Sequence, residues 1–255
     1  MELEKRLQRA TQAVGDELRL LLSDSSKEVL KALLGNPNLA EPQILLLLER
    51  ADLPGEIVEE VARRKEWIAG YRVKLAVVKH PRSPRLVSMA LLKFLYLFDL
   101  MTVSLLPTVP AEIQQQASEM IVGRLGQLPL GQKLTLARRG PPRVLAGLLA
   151  EARPEVVLVA LDNPRLTEAV LLRLLAGREH KPAIVREIAR HRKWSLRRDI
   201  RFALIRHAQT PAPVRESFIA QTVTADLERL MREGDLPAAV QGLVRKEIER
   251  RRRGT

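Results

Sequence analysis

The sequence predicts an all-helical fold built from repeated helix pairs. Apolar residues make up 46% of the chain and aromatic residues only 3%. Burial therefore depends on Leu, Val, Ile and Ala, which suit helices that pack through aliphatic ridges. In addition, one long block of sequence occurs twice, so that Asn36 recurs as Asn163, a sequence offset of 127. A repeat array can exceed the usual size of a single core, because each unit packs only on its neighbours.

The recurring block is the strongest of these observations. Segment 36–84 aligns without a gap with segment 163–211, and 16 of the 49 aligned positions are identical. The matched residues include Asn36/Asn163, Trp67/Trp194, His80/His207 and Pro84/Pro211. Similarity on this scale is the sequence sign of a repeat architecture. We therefore predict an internal duplication, with lobe one at about 15–92 and lobe two at about 142–225.

A shorter unit recurs within each lobe: an aliphatic helix, a turn, and a second helix with a period of about 3.6 residues. Asn-Pro or His-Pro at the turn disfavours continuation of the helix. A Ser, Thr or Pro ahead of the next apolar run caps or starts the second helix, so Pro84 and Pro211 are predicted to mark helix starts. Five copies are visible, in KALLGNPNLAEPQILLLL, KLAVVKHPRSPRLVSMALL, KLTLARRGPPRVLAGLLA, VLVALDNPRLTEAVLLRLL and RFALIRHAQTPAPVRESFI.

Two segments lie outside this pattern. Residues 93–141 contain Pro107 and Pro110 ahead of a helical stretch, and we predict that they form joining helices that interrupt the symmetry between the lobes. Residues 226–255 are predicted to form a charged C-terminal helix, from Asp226 to Arg253, that closes the stack. The prediction for 1–255 is therefore one continuous domain.

The turn pattern resembles that of the leucine-rich repeat variant and HEAT-like α-solenoids of bacteria, over most of residues 15–225. This resemblance implies a right-handed α-solenoid, and because the motif is degenerate it identifies no function. Some leucine-rich repeat variant proteins carry a cysteine-ligated iron–sulfur cluster. This chain has no cysteine, so no redox role is carried over.

Metal and cofactor sites are not expected. The absence of cysteine excludes disulfides, thiolate metal sites and Cys nucleophiles. His80 and His207 occupy equivalent turns, and neither His180 nor His191 has a metal-binding motif around it. A zinc site needs three or four converging ligands. We therefore expect no metal and no other cofactor.

Catalytic motifs are also missing. The sequence contains no GxSxG, no Walker loop and no dinucleotide-binding fingerprint. Carboxylates such as Glu59, Glu60 and Glu247 lie in helical segments dense in basic residues, where ion pairs between neighbouring turns of one helix are their usual role. We therefore expect that the protein is not an enzyme.

The location of the protein is predicted from its N-terminal segment and its most apolar stretch. Segment 1–22 carries charges throughout, which is typical of an amphipathic helix and not of a signal peptide. Segment 86–107 is interrupted by Lys93, Asp99 and Pro107, whereas crossing a bilayer takes roughly 20 apolar residues. We expect a cytoplasmic protein without a membrane span. The sequence does not indicate its oligomeric state.

The net charge of +13 is unevenly distributed. Segment 1–60 holds 12 acidic and 7 basic side chains, and segment 61–255 holds 18 and 36. Between Arg186 and His207, basic residues outnumber the two acids Glu187 and Asp199 by more than a solvated helix face needs, which points to an anionic partner. The candidate partner-binding residues, the basic cluster, are Arg186, Arg190, Arg192, Lys193, Arg197, Arg198, Arg201 and Arg206.

Two other features have two interpretations each, and a third is a weaker counterpart of the basic cluster. Trp67 and Trp194 follow basic runs and are interpreted as packing residues of the repeat rather than as a platform for nucleobases. The tail Arg250–Arg253 is either an electrostatic tether or a frayed terminus. The first-lobe counterpart of the basic cluster is thinner; it consists of Arg63, Arg64, Lys65, Arg72, Lys74 and Lys79.

Repetition without catalytic motifs favours a non-catalytic scaffold that binds an acidic protein partner through a basic solenoid surface. The alternative is a nucleic-acid-binding protein of the HEAT-like type that contacts the phosphate backbone. HEAT-like folds include alkylpurine DNA glycosylases, which this chain resembles only in architecture. None of their catalytic residues is matched, so base excision is not carried over.

Overall fold

The computed structural model describes residues 2–177, 182–234 and 236–253, and every regular element in these ranges is helical. The predicted all-α fold class is confirmed. The chain divides into two compact units, Met1–Gly123 (unit 1) and Arg124–Thr255 (unit 2). One continuous domain stays a prediction. Within the same ranges, no helix is both long enough and apolar enough to cross a bilayer.

Unit 1 consists of short helices joined by tight turns. They are α1 (Glu2–Gln12), α2 (Gly15–Leu21), α3 (Lys27–Leu34), α4 (Glu41–Leu48), α5 (Gly55–Arg63), α6 (Lys65–Ile68), α7 (Tyr71–Lys79), α8 (Arg85–Leu92), α9 (Leu97–Leu105) and α10 (Ala111–Arg124). Helices α1, α3 and α5 pack in series, and α7 packs on α4, α8 and α9. This packing buries the aliphatic side chains that the period of the helices places on one face.

Unit 2 starts with a 3₁₀ turn, Leu125–Gln127, that continues from α10. Its helices are α11 (Leu130–Arg139), α12 (Pro142–Glu151), α13 (Pro154–Leu161), α14 (Glu168–Ala176), α15 (Pro182–Arg190), α16 (Arg198–Arg206), α17 (Ala212–Gln221), α18 (Thr224–Arg232) and α19 (Ala238–Arg253). Helices α11, α13 and α15 pack in series, as do α12, α14 and α16. Two layers of alternate helices result.

Helix starts in the two units are related by the offset that relates Asn36 to Asn163, which we call the repeat offset. Thus α2, α3, α4, α5, α7 and α8 correspond in their first residues to α12, α13, α14, α15, α16 and α17. The repeat offset also relates α9 to α18 and α10 to α19. Helices α9 and α10 lie in residues 93–141, which were predicted to interrupt the symmetry, but their starts follow it. The correspondence was not predicted because α9 and α10 differ in sequence from α18 and α19, although the turns before them fall at equivalent positions.

Equivalent buried contacts accompany the equivalent helices. The side-chain amide of Asn36 donates to the carbonyls of Ala10 and Ala13, both at 2.9 Å. The amide of Asn163 donates to the carbonyls of Ala137 and Gly140, at 2.8 and 3.5 Å. Both asparagines are almost completely buried, and these carbonyls lie at the ends of the first helices of each unit. Asn therefore joins two successive helix pairs at the turn.

One ion pair is preserved in position but not in residue type, and only its unit 2 copy has a cation that is almost completely buried. In unit 1, Arg6 contacts both carboxylate oxygens of Asp24, at 3.0 and 2.9 Å. In unit 2, Lys133, only 1% exposed, donates to Glu151 at 2.6 Å. The repeat offset relates both members of the first pair to those of the second. In unit 2 the carboxylate is required, because a buried ammonium without a partner is costly.

The single C-terminal helix predicted from Asp226 to Arg253 is wrong. Two helices, α18 and α19, occupy this segment. Gly234 follows α18 with φ of +74°, a left-handed conformation that glycine adopts without steric cost. Pro237 then precedes α19, and it has no N–H for a continuous helix. The sequence therefore does contain the signals that end one helix and start the next, but the charged residues on both sides of them favoured the prediction of a single helix.

Candidate functional site

The basic cluster lies on α15, on α16 and in the turn between them, all within unit 2. Helix α15 buries Ile184, Val185 and Ile188. This spacing turns Arg186 and Arg190 outwards on the opposite face. The turn that follows α15 exposes Arg192 and Arg197. The amphipathic pattern of one helix and the turn after it thus present four arginines to solvent.

We call these four residues the open arginines, because their guanidinium groups have no polar partner within the described part of the chain. All four are exposed, and none of their side chains forms a hydrogen bond, an ion pair or a ring contact with any part of the chain that the structure describes. A guanidinium group offers five N–H donors in a planar fork that matches carboxylate and phosphate. The open arginines are Arg186, Arg190, Arg192 and Arg197.

The other four residues of the basic cluster are engaged within unit 2. Arg198 forms a two-pronged ion pair with Asp226, and Arg206 pairs with Glu233. Arg201 donates to the carbonyl of Ser195 at 3.3 Å. The ammonium of Lys193 lies 4.2 Å from the ring centroid of Trp194. The structure therefore divides the predicted site into four open residues and four whose side chains are engaged within unit 2, two of them in ion pairs between distant helices.

Comparison of the two units shows what is unusual about α15. On α5 of unit 1, Arg63 pairs with Glu59 at 2.6 Å, one helical turn away. The equivalent residues on α15 are Arg190 and Arg186, so an arginine replaces the carboxylate. Like charges one helical turn apart destabilise a helix by about 0.2–0.5 kcal/mol. Unit 2 thus carries a local repulsion that unit 1 avoids.

A depression of about 430 Å³ lies beside the open arginines. Its wall includes Arg190 and Arg192, and Leu158, which is 50% exposed, contributes an apolar part. Asp162 also lines it, and its carboxylate contacts Nε2 of His191 at 3.1 Å. The depression therefore combines basic residues with an apolar side chain and two acids, since Glu187 lines it as well, and its volume suits one or two side chains of a partner.

The tryptophans and histidines take structural positions. Trp194 is 2% exposed and its indole N–H donates to the carbonyl of Leu161 at 2.8 Å, while Trp67 is 8% exposed. Neither ring face is available for stacking. His180 lies outside the described residues. Among the residues that are described, no three His, Cys, Asp or Glu side chains come together as metal ligands.

The tail arginines do not form a frayed terminus. Helix α19 continues to Arg253, and Arg251 donates to the carbonyls of Thr222 and Ala220 at 2.8 and 2.6 Å. Arg252 pairs with Glu228 at 2.7 Å. Much of this basic segment is therefore used to dock α19 on its neighbours.

Sequence reasoning missed a group of aromatic residues in unit 1. Tyr71 at the start of α7 stacks on Tyr96 in the turn before α9, with ring centroids 4.3 Å apart. Phe94 in the same turn is 51% exposed. The alternation Phe94, Tyr96, Phe98 is a local signal for this group, but the contact with Tyr71 joins residues 25 positions apart.

The chain was compared with family models, with curated proteins and with solved structures. No family model, no curated protein and no solved structure matches it.

Proposed function

We propose that this protein is a cytoplasmic, non-catalytic scaffold of the right-handed HEAT-like repeat type that binds an acidic protein partner through its open arginines. The repeat part of the proposal, including the internal duplication, is supported by the helix starts that the repeat offset relates in the two units. The equivalent buried contacts of Asn36 and Asn163 support it further. Each is a feature that two copies of one ancestral segment would share.

The observation that carries the binding proposal is the replacement of an ion pair by two arginines. Glu59 and Arg63 neutralise each other on α5, whereas Arg186 and Arg190 repel each other on α15. A carboxylate of a partner between the two guanidinium groups removes this repulsion and takes the place of the missing glutamate. Binding therefore gains an attraction and relieves an internal strain at once.

A protein partner is favoured over a plain polyanion by what surrounds the open arginines. Leu158 is 50% exposed and Leu196 is 70% exposed, and both lie beside arginines of the cluster. Protein interfaces are enriched in arginine next to apolar side chains, which bury contact area that phosphates do not use. An acidic segment that also carries apolar side chains fits this surface best.

The test uses variants at equivalent positions of the two units. Arg190→Ala and Arg63→Ala remove one exposed guanidinium each, from α15 and from α5. The third variant, Arg186→Glu, rebuilds on α15 the ion pair that unit 1 has. Nuclease-treated lysate is passed over each immobilised protein, and the stoichiometric partner is quantified.

We expect the parent and Arg63→Ala to capture equal amounts of the same protein partner, and Arg190→Ala to capture less. Arg186→Glu should lose at least about nine-tenths of the captured partner, because reversing a charge at an interface costs several kcal/mol. Arg186→Glu stays folded, since it introduces an attractive pair on the helix. Failure of the parent to retain any stoichiometric protein, or equal capture by Arg186→Glu, contradicts the proposal.

A second candidate function is the binding of nucleic acid through its phosphates. Its specific support is charge: unit 2 contains 27 basic and 14 acidic residues, whereas unit 1 contains 16 of each. Four arginine–phosphate contacts on duplex DNA give a log–log slope of affinity against salt of about −3.6. An interaction with duplex DNA that does not respond to salt rejects this candidate.

A further inference from the structure

The aromatic group in unit 1 forms a fixed, solvent-facing surface, which we name the aromatic platform and define as Tyr71, Phe94 and Tyr96. Tyr96 is 67% exposed although one face of its ring is covered by Tyr71. Phe94 is 51% exposed, and Leu95 between them is buried at 2% exposure. The buried leucine anchors the turn and directs its two aromatic neighbours outwards.

Hydrogen bonds hold the platform in one geometry. The Tyr71 hydroxyl donates to the carboxylate of Asp99 and accepts the backbone N–H of Tyr96 at 3.1 Å. The rings of Tyr71 and Tyr96 stack with an angle of 28° between their planes. Ordering a flexible exposed ring normally reduces binding affinity. Here the rings of Tyr71 and Tyr96 are held in place before any ligand arrives.

Two lysines lie over the Phe94 ring of the platform, and one of them, Lys74, also donates to the carbonyl of Ala69 at 2.7 Å. The ammonium groups of Lys93 and Lys74 are 5.0 and 5.6 Å from the ring centroid of Phe94. Lys93 is exposed, and the nearby carboxylate of Asp99 is engaged by Tyr71. These two ammonium groups can therefore attract an anionic group of a ligand that covers Tyr96.

The equivalent turn of unit 2 shows that the fold does not need these aromatics. At the positions that the repeat offset relates to Lys93, Phe94 and Tyr96, unit 2 carries Ala220, Gln221 and Val223. Tyr71 is replaced by Arg198, whose ion pair with Asp226 occupies the place of the bond between Tyr71 and Asp99. The turn and the helices around it form in both units. The aromatic platform thus adds surface chemistry to a turn that is stable without it.

We propose that the aromatic platform binds single-stranded nucleic acid, with a base stacked on the free face of Tyr96 and a neighbouring phosphate at Lys93 and Lys74. Single strands are the class that fits, since bases in a duplex are already stacked and their faces are hidden. Stacking on an aromatic side chain combined with lysine contacts to the backbone is the general chemistry of sequence-tolerant single-strand binding. This inference concerns a different surface from the open arginines and does not depend on them.

The experiment measures fluorescence anisotropy of a labelled oligothymidylate with the full chain. Tyr96→Ala should weaken binding about tenfold through loss of the stack, whereas Tyr96→Trp should retain it. Lys93→Ala should lower the magnitude of the log–log salt slope by about 0.7, the value for one phosphate contact on a single strand. An abasic strand of the same length should bind more weakly than oligothymidylate, because it has the phosphates but no base.

Controls separate this inference from the proposed function and from non-specific attraction. Leu86→Ala changes another exposed apolar residue, 82% exposed, and should leave binding unchanged. Arg186→Glu should also bind the oligonucleotide as the parent does. The inference is overturned by the absence of oligonucleotide binding, by equal affinity of Tyr96→Ala and the parent for the single strand, or by an equal loss of duplex and single-strand binding in Tyr96→Ala.

Discussion

At the scale of single residues, one contact recurs at the turns between helix pairs. The side chains of Asn36, His80, Asn163, His191 and His207 each accept the backbone N–H of the residue two positions later, at 2.7 to 3.3 Å. The contact fixes the turn in the way an Asx-turn does. Asn and His can both serve here because each has an acceptor at this position, Oδ1 or Nδ1, and a further side-chain nitrogen atom, Nδ2 or Nε2, that can reach a preceding helix pair.

His80 gives this contact a dependence on pH. Its Nε2 contacts the carbonyl of Arg50 at 2.9 Å, and its Nδ1 accepts the N–H of Arg82. Both contacts are satisfied by the neutral ring with the proton on Nε2. Burial lowers the pKa of His80 from its ordinary value of 6.5, since the charged ring is poorly solvated, and the nearby guanidinium of Arg82 lowers it further.

The sign of the effect on stability follows from this shift. The unfolded chain takes up a proton at His80 near pH 6.5, before the folded chain does, so the stability that the neutral ring contributes is fully present above that pH. It is lost progressively as the pH falls below 6.5 through the lowered pKa of the folded state. Thermal unfolding followed from about pH 7.5 to about pH 5 should show this decrease.

The variant His80→Asn should reduce the decrease, because asparagine supplies an acceptor and a donor without titrating in this range. The difference between parent and variant isolates His80 from the other histidines. Equal pH dependence of the two proteins contradicts the role assigned to His80.

At the scale of elements, α19 is held on α17 and α18 by its own arginines. Arg250 and Arg251 both contact the carboxylate of Glu247, at 2.8 and 2.7 Å, and Arg251 also reaches carbonyls of the preceding helices. These two guanidinium groups lower the pKa of Glu247 to about 2. The carboxylate therefore orients the arginine that docks the helix.

Because the pKa of Glu247 is lower in the folded state than its ordinary 4.5, its contribution to stability is present above pH 4.5 and is lost as the pH falls towards about 2. The variant Glu247→Gln should lose the same contribution already at neutral pH. We expect faster amide hydrogen exchange in α19 of this variant, with α11–α14 unchanged. Glu249→Gln, an exposed change on the same helix, is the matched control; an equal increase there would show that general charge is responsible.

Sequence patterns predicted elements where local chemistry determines them. Pro84 and Pro211 precede α8 and α17 as predicted, because proline fixes the backbone ahead of a helix. The division of α18 from α19 was not predicted, since the long charged segment was interpreted as one helix and the helix-breaking residues Gly234 and Pro237 within it were not weighed. The open arginines were predicted only as part of a larger set, because the ion pairs of Arg198 and Arg206 join residues 27 or 28 positions apart. Contacts over that distance leave no local pattern.

At the scale of the whole molecule, the charge is divided between the two units far more unevenly than the fold is. The numbers of basic and acidic residues are equal in unit 1, so the net charge of +13 resides entirely in unit 2. Since the helix starts correspond, this difference does not arise from the architecture. It arises at surface positions such as 186, where the same helix face carries Glu in one unit and Arg in the other.

Separate fragments should therefore differ in electrostatic binding while both fold. We choose fragments 1–127 and 128–255, so that α10 and the 3₁₀ turn after it remain intact. Their net charges are +1 and +12. Each is long enough to bury a core of its own, and helical circular dichroism with a cooperative thermal transition would establish that each has folded.

On a cation-exchange column at neutral pH, we expect fragment 128–255 to be retained as strongly as the full chain and fragment 1–127 to elute early, because a field of one sign attracts its counter-charge in proportion to net charge. The variant Arg186→Glu in fragment 128–255 changes the net charge by only two, so it should elute slightly earlier while losing the protein partner. A large loss of partner capture with only a small change in elution salt would show that the open arginines recognise the partner and that total charge does not suffice. If partner capture instead follows elution salt across all variants, then total charge and not the arrangement on α15 selects the partner.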